Sequence, residues 1–393
     1  MNMADNCLGP PLICKSFPLS FSIPSPNPLL FRFFPPSQIS RSLRSMANPQ
    51  ESFSKNQIQP SLLVFSGGTA FNGVVEEMKK LTTRVAHVLP VSDDGGSTAE
   101  IVRVLGGPAV GDIRSRCLRL SDESTSEALA VRRLLGHRLP LDGAQARSEW
   151  YDIVEGEHSL WNGVSKPYRE TIRAFLAYIQ NQILRRASEL FCFSNGSIGN
   201  FFFAGARIFF QSLDAAIFLF SRVSDIPPES LVLPVISTND RLTLGCELWD
   251  GTIIRGQNEI SHPSIGSTQP VDKVFASVNP SVLEQLSKVN CIVYAMVSLF
   301  TSVCPSLVLL GTGEVISSRS CPKPSQYVNA LLVPKDGQIP VDVQSLSKQG
   351  IFHVVTVDSI LDPRVGIIFN PKSLIQALAD LITEYNSPHS SEV

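Results

Sequence analysis

Ser61–Ser66 (SLLVFS) is a short apolar run that stops at Gly67-Gly68, the pattern of a strand buried on both faces. Over Gly73–Leu81, Val74, Val75 and Met78 share one face, while Glu76, Glu77, Lys79 and Lys80 take the others; this spacing predicts a helix. Arg84–Val91 predicts a second strand, which runs into Asp93-Asp94-Gly95-Gly96-Ser97. Strand, glycine turn, helix and strand in this order form a βαβ unit with a right-handed crossover. Ligands of such sheets lie beyond the carboxyl ends of the strands, where both glycine loops fall.

The alternation continues. Helices are predicted over Thr98–Leu105 and Ser126–Leu135. Leu139–Ser165 reads as a polar, loop-rich stretch opening a helical insertion of about 139–190, in which Ile172, Phe175, Leu176, Ile179, Ile183 and Leu184 mark a long amphipathic helix. A turn at SNGSIGN leads into one apolar helix over Phe201–Val223. Leu231–Ile236 reads as a strand, and Arg241–Leu248 with Thr252–Gly256 around Trp249-Asp250-Gly251 as a β-hairpin. Further strands are expected at Cys291–Ala295, Val328–Val333 and Phe352–Val357, with a closing helix at Lys372–Tyr385. The pattern predicts one large α/β domain over 56–388 with a hairpin elaboration. Phe201–Phe203 and Phe209–Phe210 suit either a homodimer interface or an interior helix.

Composition changes this picture mainly at the start of the chain. Residues 1–50 hold nine prolines and eight serines, with Lys15, Arg32, Arg41 and Arg44 against Asp5 alone. Such a stretch cannot pack a core. Over residues 1–55 it resembles a disordered, cleavable organellar transit peptide, with chloroplast preferred over mitochondrion; translation from Met46 would leave the product in the cytosol. In the whole chain 33 Lys+Arg meet 35 Asp+Glu, a net charge of −2, which argues against nucleic acid as a partner. No run approaches the roughly 18–20 apolar residues of a membrane helix, so a membrane is not an expected partner either. The eight cysteines form no CxxC pair and the six histidines no HxxxH or HExxH, so neither a zinc site nor a disulfide framework is expected. Mg2+ remains compatible, because it binds through carboxylates and substrate phosphate.

Candidate chemistry gathers in three loops. Gly67, Gly68 and Thr69, with Gly73 one turn on, suit either a tight turn needing positive φ or a backbone cradle for phosphate at a helix start; no Walker lysine is present. Asp93 and Asp94 at a strand end suit Mg2+, and Gly95 and Gly96 exceed what a helix cap requires. Gly106-Gly107-Pro108 leads to Gly111-Asp112-Ile113-Arg114-Ser115-Arg116. Residues two apart do not share a helical face, so at most one of Arg114 and Arg116 is expected to point inward, where it would clamp a phosphate.

GGT, DDGG and GDIR in this order, followed by Ser197-Ile198-Gly199-Asn200 before an apolar helix, resemble the CofD/YvcK-like family, which groups 2-phospho-L-lactate transferase with gluconeogenesis-factor proteins. The hairpin at Leu242–Leu248 with Asp250-Gly251 and Gly256, and Tyr294–Pro305 (YAMVSLFTSVCP), agree with that family's pattern. The chain departs from it at Ser115, Val297 and Gln257, where asparagine, glycine and glutamate are usual.

The resemblance implies a Rossmann-like, mostly parallel sheet with helices on both faces and nucleotide ligands at the strand ends. Gly67, Gly68, Thr69, Gly73, Gly95, Gly96, Ser197, Gly199, Asn200, Ser298, Thr301 and Ser302 would then line a nucleotide and phosphate site. Asp93 and Asp94 would hold Mg2+, and Asp112 and Arg114 would flank the diphosphate, all four counting as catalytic. The implied activity is a Mg2+-dependent transferase that moves a phospho-acyl group from a GDP- or UDP-linked donor to the hydroxyl of a small, deazaflavin-like acceptor. The alternative is a non-catalytic nucleotide-sugar-binding regulator of the gluconeogenesis-factor type.

Overall fold

The computed structural model of the chain describes residues 11–15 and 29–33 as backbone strands, and residues 59–92, 98–186, 190–248, 251–261, 276–318, 327–337, 339–363 and 366–386 in full apart from a few side chains. The strands are β1 (Pro11–Lys15), β2 (Leu29–Phe33), β3 (Leu62–Phe65), β4 (Val85–Leu89), β5 (Leu231–Pro234), β6 (Thr243–Glu247), β7 (Ile253–Arg255), β8 (Cys291–Tyr294), β9 (Ala330–Pro334) and β10 (His353–Val357). Seven form the central sheet in the order β10-β9-β2-β8-β3-β4-β5. All its pairs are parallel except those of β2, which runs against both neighbours. Every residue of β3, β4 and β8 is buried, so both faces of the central strands are covered. The mostly parallel α/β sheet is therefore as expected.

β6 and β7 pair antiparallel, with Cys246 opposite Ile254, which is the anticipated hairpin. The Pro- and Ser-rich start departs from the expectation of disorder at ten residues. β1 pairs with β6, and β2 sits between β8 and β9. LLFRF is the proline-free apolar run there, with the composition of a strand.

The first eight helices are α1 (Thr69–Leu81), α2 (Ala99–Leu105), α3 (Gly111–Leu120), α4 (Ser126–Gly136), α5 (Gly143–Glu155), α6 (Lys166–Arg185), α7 (Ile198–Phe210) and α8 (Leu213–Val223). α1 starts directly after Gly68, four residues before the apolar periodicity shows. α5 takes up about half of the loop expected over Leu139–Ser165. Asp142 caps it by accepting from the Gln145 amide at 2.8 Å, and Gly156 ends it at φ +90°. Its Trp150 is fully buried, donates to Gln180 on α6 at 2.5 Å and packs on Phe193 and Phe201 at 5.5 and 4.5 Å. The insertion is thus a helical layer clamped onto α7. A Cβ on Gly205 would fall on the Phe175 carbonyl, so the α6 and α7 backbones touch.

The single helix expected over Phe201–Val223 is two. Gln211 turns left-handed at φ +52°, and the Ser212 hydroxyl caps α8 by accepting from Ala215 at 3.1 Å. Phe201, Phe202 and Phe203 lie in the interior, whereas Phe209 and Phe210 are exposed at the end of α7, in ring contact with Phe175. Among the described residues no helix is long and apolar enough to cross a membrane.

Candidate functional site

β3 hands its chain to α1 through Ser66, Gly67 and Gly68. Neither glycine has positive φ, and Gly68 sits at −77°, so backbone freedom is not what selects glycine here. Space is. A Cβ on Gly68 would fall on the Asp112 carboxylate, and one on Gly67 would lie 3.1 Å from Val297 Cγ1 and 3.7 Å from Ser302 Oγ. The turn is thus wedged between the first turn of α3 and the loop after β8. That loop closes on itself, because Ser298 Oγ accepts from the Thr301 amide at 3.4 Å and the Ser298 carbonyl accepts from the Ser302 amide at 3.0 Å.

α7 brings in the third wall. The Ile198 amide donates to the His137 carbonyl at 3.0 Å, which ties the start of α7 to the end of α4. A Cβ on Gly199 would come within 2.5 Å of the Leu135 carbonyl oxygen and 3.0 Å of Arg114 Cγ and Cδ. Arg114 is almost fully buried, and its Nε donates to Asn200 Oδ1 at 3.0 Å. Burial, with Arg138 nearby, lowers the guanidinium to about 10, still charged at neutral pH. Asn200 and Ser197 have no exposed surface, and the hydroxyls of Ser197 and Thr301 are buried without a hydrogen-bond partner among the described residues.

Gly67, Gly68, Asp112, Arg114, Gly199, Asn200 and Ser302 therefore meet at the carboxyl edge of β3 and β8, with Ser197, Ser298 and Thr301 on the same turns. Thr69 is the first residue of α1. Gly73 does not join them by any close approach: it is exposed, with open space where a Cβ would stand. Asp93, Asp94, Gly95, Gly96 and Ser97 lie outside the described residues. The chain beyond them resumes at buried Thr98, whose methyl lies 3.5 Å from the Cβ position of Gly111 at the start of α3.

Only one of Arg114 and Arg116 was expected to face inward; both are buried. They do leave α3 on different sides, but α3 has no solvent side at these positions. Arg114 runs toward α7, and Arg116 runs under the glycine turn, where it meets Ser66, Gly67 and His87. His87, which as a lone histidine carries little signal, belongs to that contact. Ser115, where the family pattern has asparagine, accepts from the Asn72 amide at 2.9 Å, so an amide is present at that position from α1 instead. A cavity of about 240 Å³ at the opposite edge, lined by Ser61, Arg84, Glu229, Gln285 and Lys288 among others, holds none of the predicted site residues.

A mostly parallel sheet whose carboxyl edge meets the starts of α1, α3 and α7 defines a Rossmann-like α/β protein. The profile of the family described as 2-phospho-L-lactate transferase CofD matches residues 62–332, and the chain belongs to that family. It is 44% identical over 211 residues to the uncharacterized protein YNL011C of Saccharomyces cerevisiae, covering 52% of this chain and 46% of that one. It is 25% identical over 268 residues to the gluconeogenesis factor of Halalkalibacterium halodurans, covering 67% of this chain and 65% of that one. The chain thus spans about half the length of the yeast relative and just under two thirds of the bacterial one. The crystal structure of a UPF0052-family protein from Bacillus halodurans shares the fold, with a TM-score of 0.55 at 20% identity over 81% of this chain and 99% of that one.

Proposed function

We propose that the chain is a phosphotransferase of the CofD type, moving a phospho-acyl group from a GDP- or UDP-linked diphosphate to the hydroxyl of a small, deazaflavin-like acceptor. The observation that carries this reading is the meeting of the Gly67-Gly68 turn, Asp112 and the Arg114–Asn200 pair at one edge. The amides of Gly67 and Gly68 have no hydrogen-bond partner among the described residues, and the Arg114 guanidinium is bonded there only through Nε. A diphosphate accepts from all three. Phosphoryl transfer relies mainly on positioning and charge stabilisation, so no strong base is needed.

In the proposed step the acceptor oxygen bonds to the phosphorus that carries the acyl group. The bridging P–O bond breaks, a nucleoside monophosphate leaves with that electron pair, and the acceptor proton passes by way of Asp112 to solvent. Arg114, with the turn amides, holds the phosphoryl oxygens as charge builds, and Asn200 fixes the Arg114 rotamer. Ser298, Thr301 and Ser302 supply hydroxyls from the β8 side.

The charge beside the turn suits Mg2+. A carboxylate against a phosphate turn repels its ligand unless a cation stands between them, and Mg2+ characteristically takes one or two carboxylates, with phosphate and water completing its shell. Asp93 and Asp94, which lie outside the described residues, would hold it, and when bound it would supply neutralisation of the phosphoryl charge.

The bacterial relatives are named gluconeogenesis factors rather than transferases, and the second reading is the one the resemblance offers for that branch, a nucleotide-sugar-binding regulator that does no chemistry. Single-turnover assays with GDP- and UDP-linked donors separate the two. Release of GMP or UMP that depends on an acceptor supports the transferase, whereas saturable binding with no monophosphate released from any donor supports the regulator.

A further inference from the structure

Arg116 has no exposed surface, and no carboxylate among the described residues lies within salt-bridge distance of it. One terminal nitrogen donates to Ser66 Oγ at 3.2 Å and to His87 Nδ1 at 2.8 Å, and the other donates to the Gly67 carbonyl at 3.0 Å. The guanidinium lies 4.9 Å above the Phe71 ring, and its Nε is buried with no partner among the described residues. An internal cation whose hydrogen-bond acceptors are all neutral, with the Asp112 carboxylate as its nearest compensating charge, is costly, so such an arrangement needs a reason.

The reason follows from peptide geometry. In a trans peptide the carbonyl and the next N–H point in opposite directions. Arg116 draws the Gly67 carbonyl inward, under the turn. The Gly68 N–H of the same peptide is thereby turned outward, toward the edge where Asp112 and Arg114 stand. A cation on the carbonyl also polarises the peptide and makes its N–H a stronger donor.

We propose that Arg116, braced by His87 and Ser66, is the positioning residue of the glycine turn: it aims and polarises the Gly67–Gly68 peptide toward a phosphate oxygen of an anionic ligand. This deepens the reading of the turn as a phosphate cradle and rests on it. His87 fits the brace because its Nδ1 accepts from Arg116 and must be unprotonated. Burial, together with Arg116, holds its pKa well below the usual histidine range, so the ring is neutral at physiological pH.

The test uses the full chain and inorganic pyrophosphate with Mg2+. In the wild type, titration is expected to move the Gly68 amide resonance downfield with the same midpoint as calorimetric binding. If pyrophosphate binds and that resonance stays put, the assignment of Arg116 is overturned. If wild type binds neither pyrophosphate, GDP nor UDP, the cradle reading fails first, and the assignment of Arg116 falls with it. Arg116→Met is expected to weaken pyrophosphate and GDP binding by about tenfold or more while leaving guanosine affinity unchanged, a split that general destabilisation would not produce. Arg116→Lys, which keeps the charge, is expected to recover part of the loss. Should Arg116→Met fail to fold, Arg116→Gln is read in the same way. Wild-type pyrophosphate affinity in whichever neutral variant folds would refute the proposal.

Discussion

Adding one methyl group at Gly199 tests how tightly the site is assembled. In Gly199→Ala the new Cβ would stand 2.5 Å from the Leu135 carbonyl oxygen, against about 3.4 Å for an ordinary contact, so the first turn of α7 must retreat by about 0.9 Å. Asn200, the next residue, moves with it. Its 3.0 Å bond to Arg114 stretches to about 3.9 Å, beyond hydrogen-bond range. Crowding of this kind costs about 1–3 kcal/mol, and the better helix propensity of alanine returns about 1 kcal/mol, for a net loss of up to about 2 kcal/mol. Losing the alignment of a charged donor costs a further 1.5–3 kcal/mol in ligand binding, roughly 10- to 100-fold in Kd. The assay is calorimetric titration with pyrophosphate and Mg2+ beside a thermal melt, with Gly73→Ala as control. At Gly73 the space is open, so alanine is expected to stabilise α1 by about 0.5–1 kcal/mol and leave Kd alone. Wild-type affinity in Gly199→Ala, or an equal loss in Gly73→Ala, would refute this account of the site.

Two other outcomes follow from the same structure, and a third from the composition of the first 55 residues. His87 is neutral in the fold while its unfolded-state counterpart titrates near 6.5, so its contribution is complete above that pH and is lost as pH falls below it, by up to about 1.4 kcal/mol per pH unit. Denaturant midpoints at pH 7, 6 and 5 should fall less steeply in His87→Gln; identical slopes would contradict the assignment. Trp150→Ala opens a cavity under the insertion and removes the donor to Gln180, with an expected loss of about 3–5 kcal/mol, and a measured loss under about 1 kcal/mol would show that α5 is not part of the core. Residues 1–55 fused ahead of a fluorescent protein are expected to direct it into plastids, and uniform cytosolic fluorescence would remove that reading.

What the sequence makes legible is the part in which pattern and position coincide. β3 is apolar throughout and β4 is apolar but for His87 because both their faces are covered, and a glycine-containing loop follows each, so the βαβ unit and its carboxyl edge can be read directly. The hairpin is equally plain, with Gly251 at φ +84° in its turn. α5 is hidden because only Ala146, Trp150 and Ile153 form its inner stripe; the signal available was Asp142 followed three residues later by Gln145. The break between α7 and α8 is hidden because Gln211 adopts positive φ with no glycine to announce it. The fate of Arg116 was beyond a rule about helix faces. Two residues apart on a surface helix, one arginine faces water; on a helix enclosed on both sides, neither does.

The central claim is that the Gly67-Gly68 turn, Asp112 and Arg114 hold one diphosphate. The most direct measurement is a crystal structure of the protein with a nucleoside diphosphate and Mg2+. The expected result places phosphate oxygens within hydrogen-bond reach of the Gly68 amide and the Arg114 guanidinium. Phosphates bound elsewhere, for example in the cavity beside Ser61, Arg84 and Lys288 at the amino edge of the sheet, would contradict it.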